Sequence, residues 1–264
     1  MKLFQVDAFT NEKFKGNPAG VCIVDLFPET AVMQNIALEM NLSETAFVEI
    51  ATNQYNIRYF TPIVEVSLCG HATLASAHIL YETGIVDKSL DFTFRANETD
   101  LKISFHDSWI KMNFPIYSIS KKPVTEELNY ALGVNATEVY ESENKWRVVR
   151  VDSEADVKNS APRFENLRHN KFGETIAVTA KSDDPNFDFV VRVFCDPDSG
   201  IYEDPVTGSA NCILVPYWNQ QTNRTRFNSK QISKRSGVIK TELIDNKINI
   251  YGQAITVMII ELNK

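Results

Sequence analysis

The sequence predicts an α/β (α+β) protein built from two pseudo-symmetric halves, each a curved, mostly antiparallel sheet wrapped around a central helix. Short strand-like segments outnumber helical ones, and two helices that follow glycines are apolar on nearly every side, which predicts that they are buried. An internal repeat relates the halves. Its copies, 130 to 138 residues apart, are Ser-Glu-Thr-Ala-Phe-Val at 43–48 and Gly-Glu-Thr-Ile-Ala-Val at 173–178, Ile-Arg-Tyr-Phe at 57–60 and Val-Arg-Val-Phe at 191–194, and Cys-Gly-His-Ala at 69–72 and Thr-Gly-Ser-Ala at 207–210.

Segments rich in β-branched and aromatic residues, many of them bounded by turn residues, predict the strands. In chain order these strands are 3–9, 21–24, 45–50, 56–60, 92–94, 109–114, 146–151, 175–179, 187–194 and 248–262. We expect the first half-domain to span 1–115 and to be completed by the final strand at 250–264. The second half-domain then spans 116–249, with 115–124 as the junction.

Four helices are predicted. The first begins at Pro28, a favoured first-turn residue, places Val32, Ile36 and Met40 on one face and ends at Asn41. Another, at 124–132, is stopped by Gly133. The two central helices are the apolar segments 71–83, which stops at Gly84, and 208–218.

The composition excludes several classes of function. Of the 264 residues, 44% are hydrophobic and 23% are charged, as in a soluble globular protein. The net charge of −7 disfavours nucleic acid or an anionic membrane as a partner. No apolar run approaches the roughly 20 residues of a membrane span, and the amino terminus lacks the pattern of a signal peptide, so we expect a cytoplasmic protein. The four cysteines show no metal-binding spacing, and no metal site is predicted.

The repeated helix starts are candidate anion sites. A helix amino terminus presents backbone N–H groups and the positive end of the helix dipole, and glycine lets a ligand approach closely. The starts at 70–72 and 208–210 would face one another across a cleft and suit a small carboxylate. The alternative is that these glycines only permit tight strand-to-helix turns.

Glu44 and Glu174 are candidate general bases. Each opens a strand in which the alternate residues on its own face are apolar, so the carboxylate should be desolvated and its pKa raised towards neutrality. The pattern does not choose between the two glutamates, and either can instead cap neighbouring backbone N–H groups.

Other polar residues lie near the helix starts. His71 and Asp204 can hydrogen-bond a ligand or relay a proton, although a single histidine at a helix start is often structural. The thiol of Cys69 precedes a helix amino terminus, which lowers a thiol pKa and would suit racemisation by two bases. Its counterpart in the second half is Thr207, which argues against a thiol pair. The repeated arginines, Arg58 and Arg192, are interpreted as structural.

Five segments, in this order and spacing, resemble the PhzF-like family, which is named for a phenazine-biosynthesis isomerase. They are Asp-Ala-Phe-Thr at 7–10, Gly-Asn-Pro-Ala-Gly-Val at 16–21, Ser-Glu-Thr-Ala-Phe at 43–47, Glu-Val-Ser-Leu-Cys-Gly-His-Ala-Thr at 65–73 and Glu-Asp-Pro-Val-Thr-Gly-Ser-Ala at 203–210. The resemblance implies the diaminopimelate epimerase fold, in agreement with the internal repeat.

The resemblance also implies a function. It implies a cofactor-independent isomerase in which Glu44 removes a proton from carbon and returns it elsewhere on a small substrate, with no metal or other cofactor. Relatives are commonly homodimers. The stretch 66–69 departs from the proline-containing version of many relatives, so the substrate is not carried over. The residues that would line the substrate pocket are Gly70, His71, Asp204, Gly208 and Ser209.

Two other hypotheses about function remain open. One is a racemase or epimerase of a small acid or amino acid that works with two bases, the second being Glu174 or Cys69. The other is a protein that binds a small anion without turnover.

Overall fold

The computed structural model describes residues 1–51, 54–97, 99–169 and 171–263. The chain forms two compact units. The first contains Met1–Asn113 together with the segment that begins at Tyr251, and the second contains Phe114–Ile250. Within the described ranges, no helix is both long enough and apolar enough to span a membrane.

Strands dominate both units. In chain order the elements are β1 (Lys2–Ala8), β2 (Asn17–Val24), α1 (Thr30–Met40), β3 (Glu44–Ala51), β4 (Gln54–Phe60), β5 (Glu65–Val66), α2 (Gly70–Glu82), β6 (Phe92–Ala96), β7 (Thr99–His106), β8 (Trp109–Pro115), β9 (Ile119–Lys122), α3 (Glu126–Leu132), β10 (Glu138–Ser142), β11 (Arg147–Arg150), α4 (Glu154–Asn159), β12 (Thr175–Lys181), β13 (Phe189–Cys195), β14 (Glu203–Asp204), α5 (Asn211–Thr222), β15 (Arg226–Gln231), β16 (Gly237–Ile244), β17 (Lys247–Gly252) and β18 (Ala254–Glu261).

The two units repeat one pattern of strand pairing. In the first, β2 is parallel to β3, β3 is antiparallel to β4, and β4 is parallel to β6, while the short β5 pairs with the end of β4. In the second, β11, β12, β13, β14 and β15 repeat these relationships in the same order. The repeat seen in the sequence is therefore a repeat of sheet topology.

Each unit has a buried helix. Helix α2 contacts β1, β2, β3 and β18, and its residues from Gly70 to Leu80 are buried except His78. Helix α1 covers the opposite face of the sheet, where Met33 and Ile36 pack against Phe47 and Phe60. In the second unit, α5 is buried along most of its length, whereas α4 packs outside on β12 and β13. The prediction of two buried central helices is confirmed.

Several boundaries differ from prediction. Helix α5 begins at Asn211, three residues later than predicted, because Gly208–Ala210 form turns, and it continues through Pro216. In α1, Val32 is 44% exposed; the buried face is instead formed by Met33, Ile36 and Ala37, which are spaced three and four residues apart.

The segment 248–262 forms two strands, β17 and β18, instead of one. The stretch 115–124, predicted as a junction, contains β9, which is paired with β10. Most side chains of β9 are polar, so its sequence does not show the alternating apolar face that identifies a strand.

Candidate functional site

Three side chains of the first unit meet at the amino terminus of α2. Glu44 is the first residue of β3, on the face that looks towards α2, and His71 lies in the first turn of that helix, two residues after Cys69. Glu44 Oε2 is 3.2 Å from His71 Nε2, and Cys69 Sγ is 3.4 Å from His71 Nδ1. The imidazole therefore has a different neighbour at each of its nitrogens.

Burial determines the charge of this histidine. The His71 side chain is 7% exposed and that of Glu44 is 15% exposed. Desolvation lowers the pKa of His71 to about 3, so the ring is neutral at physiological pH. The contact with Glu44 is accordingly a close approach between a neutral imidazole and a carboxyl group, not an ion pair.

Asn17 lies against the other ring nitrogen of His71, Nδ1. Its side chain is fully buried, and its amide nitrogen lies 3.3 Å from His71 Nδ1. With the amide in this orientation its N–H donates to Nδ1, and the single proton of the neutral ring then resides on Nε2. In this tautomer the Nε2–H group of His71 lies next to the Glu44 carboxyl group. Sequence reasoning placed Asn17 in a family motif without a role, because the contact spans 54 positions along the chain.

The loop between β1 and β2 places Asn17. The buried carboxylate of Asp7 accepts a hydrogen bond from the backbone N–H of Phe14 at 2.6 Å. Gly16 has a φ of +65°, and a Cβ added there would lie 2.1 Å from the carbonyl oxygen of Ala8. Only glycine fits this close turn, which starts β2 at Asn17. Asp7 and Gly16 thus position Asn17, which in turn contacts His71.

A chain of hydroxyl groups holds the start of α2. The Thr73 hydroxyl donates to the Cys69 carbonyl oxygen at 2.6 Å, so the Tyr59 hydroxyl, 2.6 Å from Thr73 Oγ1, donates to Thr73. Tyr59 is 1% exposed, and burial raises its pKa far above the usual range. Strand β4 is thereby connected to the backbone that carries Cys69 and His71.

An arginine–glutamate pair holds the segment before the helix in each unit. Arg58 Nε and Nη2 donate to the two carboxylate oxygens of Glu65, both at 2.7 Å. Arg192 makes the same two contacts with Glu203, at 2.7 and 2.8 Å. The Glu65 hydrogen bond raises the pKa of Arg58 further. These contacts agree with a structural role for the repeated arginines.

The predicted site residues of the second unit lie around Gln231. Asp204 Oδ2 accepts a hydrogen bond from the Thr207 hydroxyl at 2.6 Å. The Gln231 amide donates to the Asp204 carbonyl oxygen at 2.6 Å and accepts from the Thr207 N–H at 2.9 Å. Gly208 and Ser209 follow in the turn before α5. Gln231 was missed because it lies on β15, beyond the helix.

Glu174 does not share the environment of Glu44. Strand β12 begins at Thr175, and Glu174 is exposed just before it. The predicted burial of this carboxylate is therefore wrong, because the alternation argument assumed that Glu174 belonged to the strand. In β3 the residues from Thr45 to Val48 are buried on both faces of the strand. The alternation of residues along β3 therefore does not show which face carries the site either.

The cluster also contains three kinds of metal-ligand atom. One ligand atom each from Glu44, Cys69 and His71 lies within 4.8 Å of the others. No metal site was predicted from the sequence, because Glu44 lies on another element and motif spacing reveals only ligands that are close along the chain.

Comparison with known proteins identifies the family. The profile of a family described as "Phenazine biosynthesis-like protein" matches residues 6–259. An "uncharacterized isomerase" of Halalkalibacterium halodurans is 42% identical over 266 residues, covering 98% of this chain and 97% of that protein. The crystal structure of a PhzF-family phenazine biosynthesis protein from Enterococcus faecalis has a TM-score of 0.92 at 36% identity, covering 98% of this chain and 97% of that one.

The fold extends beyond these relatives. A hydroxyproline epimerase from Agrobacterium vitis, crystallised with trans-4-hydroxy-L-proline, has a TM-score of 0.64 at 10% identity, covering 98% of this chain and 91% of that chain. At this identity the likeness concerns the fold alone, and it confirms the predicted epimerase-like fold class. By its sequence profile and its relatives, the chain belongs to the phenazine biosynthesis-like (PhzF) family.

Proposed function

We propose that this chain is a cofactor-independent isomerase that moves a proton between two carbons of a small, carboxylated, unsaturated substrate. Glu44 is the general acid and base. The observation that carries the proposal is the 3.2 Å contact between Glu44 and a buried, neutral His71. The curated relative at 42% identity is named an isomerase, in agreement with this class of reaction.

The reaction needs one group that both takes and gives a proton. The Glu44 carboxylate removes a proton from a saturated carbon next to a double bond, and the electron pair of the broken C–H bond shifts into the conjugated system. The protonated Glu44 then delivers its proton to a different carbon, so that the double bond moves. No electron is gained or lost, which is why no redox cofactor is needed.

His71 holds Glu44 in the state that starts this cycle. A neutral imidazole with its proton on Nε2 places the positive end of an N–H dipole beside the carboxylate and so favours the ionised form, whereas burial favours the protonated form. The same contact sets the position of one carboxylate oxygen of Glu44. Asn17 contributes by keeping Nδ1 as the acceptor.

We assign substrate binding to Gly70 and His71 in the first unit and to Asp204, Gly208 and Ser209 in the second. Gly70 opens α2, where the backbone N–H groups and the dipole of the helix favour a carboxylate. Asp204 and the Gly208 turn are held by the Gln231 hydrogen bonds and supply polar groups for substituents of the substrate.

A second candidate is an epimerase that uses two bases. Cys69 favours it, because its sulfur lies 3.4 Å from His71 Nδ1 and a thiol next to a histidine can exchange a proton. Glu174 does not favour it, because that carboxylate is exposed.

Proton NMR in deuterated water tests the proposal. The purified protein is incubated with dihydro-hydroxyanthranilate, a substrate known in the family, and with a panel of small unsaturated carboxylates. We expect deuterium to enter a substrate carbon with the wild type and with Glu174→Gln, the matched variant at the repeat position. Glu44→Gln should lower the exchange rate by at least about 100-fold, as loss of a general base does.

The other outcomes separate the alternatives. Exchange that survives in Glu44→Gln but is lost in Cys69→Ser would refute Glu44 as the base and favour the epimerase. Tight binding of a carboxylate with no exchange would favour a binding protein. Circular dichroism of each variant establishes that its fold is intact.

A further inference from the structure

The Glu44–Cys69–His71 cluster has the composition of a metal site with one open position. It offers one carboxylate oxygen, one thiol sulfur and one imidazole nitrogen, and these are the three ligand types that Zn²⁺ takes in proteins. All three side chains are largely buried, with Glu44 at 15%, Cys69 at 7% and His71 at 7% exposed. The three ligand atoms are therefore gathered in a largely water-excluded pocket of the first unit.

The spacing of the ligand atoms suits a small tetrahedral ion. With metal–ligand bonds of about 2.0–2.3 Å, neighbouring ligand atoms of a tetrahedral site lie about 3.3–3.6 Å apart. His71 Nε2 is 3.2 Å from Glu44 Oε2 and 3.9 Å from Cys69 Sγ. The edge between Glu44 and His71 is thus close to the required length. The sulfur lies nearer to Nδ1, at 3.4 Å, so the two edges to Cys69, at 3.9 Å and at most 4.8 Å, close by rotation of the Cys69 side chain.

We propose that Glu44, Cys69 and His71 bind a single thiophilic divalent ion of the Zn²⁺ type, and that the ion and the substrate exclude one another. Ligation by Nε2 moves the imidazole proton to Nδ1, and ligation by sulfur releases the thiol proton. Rotation of the Asn17 amide then lets its oxygen accept the hydrogen bond from Nδ1–H, as the outer partners of metal-binding histidines do. The ion occupies the carboxylate that would otherwise accept a proton from the substrate.

Metal binding does not depend on the proposed isomerase activity, whereas the exclusion of substrate does. Binding is therefore tested first, and without a substrate. Co²⁺ serves as the probe, because a cobalt–thiolate bond gives a charge-transfer absorption band in the near ultraviolet and tetrahedral Co²⁺ gives intense visible bands. Zn²⁺ is then added to displace the cobalt.

We expect one equivalent of Co²⁺ to bind the reduced wild-type protein with both sets of bands. Cys69→Ser should abolish the charge-transfer band. Glu44→Gln and His71→Asn should each weaken binding by more than the about 10–100-fold that follows loss of an outer-shell partner. Asn17→Ala should keep the band and weaken binding within that range.

Cys195→Ser is the matched control. Burial raises the pKa of Cys22 to about 11 and that of Cys212 to about 12, which makes both poor ligands, so Cys195 is the other thiol that has to be tested. A band that survives in Cys195→Ser assigns the bond to Cys69 even if Cys69→Ser does not fold. Loss of the band in Cys195→Ser, its persistence in a folded Cys69→Ser, or no band at all would overturn the proposal.

A separate assay tests exclusion. In the deuterium-exchange experiment, Zn²⁺ should raise the apparent KM of wild-type protein without lowering kcat. Cobalt binding combined with zinc-insensitive exchange would retain the metal site and refute exclusion. Absent exchange combined with cobalt binding would count against the isomerase and not against the metal site.

Discussion

The Arg58–Glu65 and Arg192–Glu203 pairs allow the same substitution to be made twice in one chain. Each arginine donates two hydrogen bonds to one carboxylate. Replacement by lysine keeps the positive charge but permits only one such bond. The variants Arg58→Lys and Arg192→Lys therefore measure the bidentate geometry in two surroundings that differ in known ways.

The two substitutions should not be equally destabilising. Side chains of both pairs are 16 to 30% exposed, so we estimate that the lost charge-assisted bond is worth about 1 kcal/mol in either place. Arg192 Nη1 also donates to the Ser160 carbonyl oxygen at 2.8 Å and to the Lys158 carbonyl oxygen at 3.1 Å. Ser160 is 5% exposed, and loss of its partner adds about 1–2 kcal/mol.

Arg58 makes fewer hydrogen bonds to buried backbone groups than Arg192 does. Beyond Glu65, it donates to the hydroxyl of Thr30 at 3.1 Å in an exposed position. We therefore expect Arg58→Lys to lower the free energy of unfolding by about 1 kcal/mol and Arg192→Lys by about 2–3 kcal/mol.

Urea denaturation followed by circular dichroism measures both values. Arg226→Lys is the control, because the Arg226 side chain is 79% exposed beside Glu242, and an exposed pair contributes little. Equal losses in the two variants, or a larger loss for Arg58→Lys, would refute the assignment of the extra stability to the Ser160 and Lys158 carbonyl groups.

Two further predictions concern the histidine and the loop behind it. Because burial lowers the pKa of His71 from 6.5 to about 3, the unfolded chain binds a proton that the folded protein excludes as the pH falls below 6.5. The free energy of unfolding should fall by about 1 kcal/mol between pH 7.5 and 5.5 from this residue alone. Urea denaturation at several pH values should show a smaller fall for His71→Asn than for the wild type. The same dependence of unfolding free energy on pH in both proteins would contradict this assignment. Gly16→Ala should lower the free energy of unfolding by at least about 3 kcal/mol, whereas Gly84→Ala, with a φ of +75° but no atom within 4 Å, should cost only about 1–2 kcal/mol. Equal thermal shifts in these two variants would mean that the Ala8 carbonyl is not the obstacle.

The parts of the fold that follow from local pattern were predictable. Helix α2 is apolar on all sides and ends before Gly84, and helix α3 ends at Gly133, whose φ of +65° requires the left-handed conformation. The repeat identified equivalent strands because their β-branched and aromatic residues are similar in both copies. Helix α4 was missed, since its six residues are too few to show a helical period.

The parts of the site that depend on distant side chains were not predictable. Asn17 reaches His71 from the start of another strand, and Gln231 reaches Thr207 from the strand after the helix. Alternation along a strand identifies neither the site face of β3, which is buried on both sides, nor the residue at which β12 begins, and a difference of one residue leaves Glu174 outside the strand. Local pattern describes a segment, whereas these contacts depend on how segments pack.

The two units share structural features but differ in the side chains at the start of the buried helix. Both units keep the arginine–glutamate pair, the parallel strand pairing and the buried helix, which are the features that position the segment before the helix. The groups at the helix start differ, because Cys69 and His71 in the first unit correspond to Thr207 and Ser209 in the second.

A base that both removes and returns a proton requires one titratable group held beside a hydrogen-bond donor, and the first unit has that combination. In the second unit, Thr207 and Ser209 replace Cys69 and His71, and their hydroxyls bind but do not titrate near neutral pH. Glu174, the counterpart of Glu44, is exposed. This difference favours transfer by a single base over a symmetric exchange between two bases.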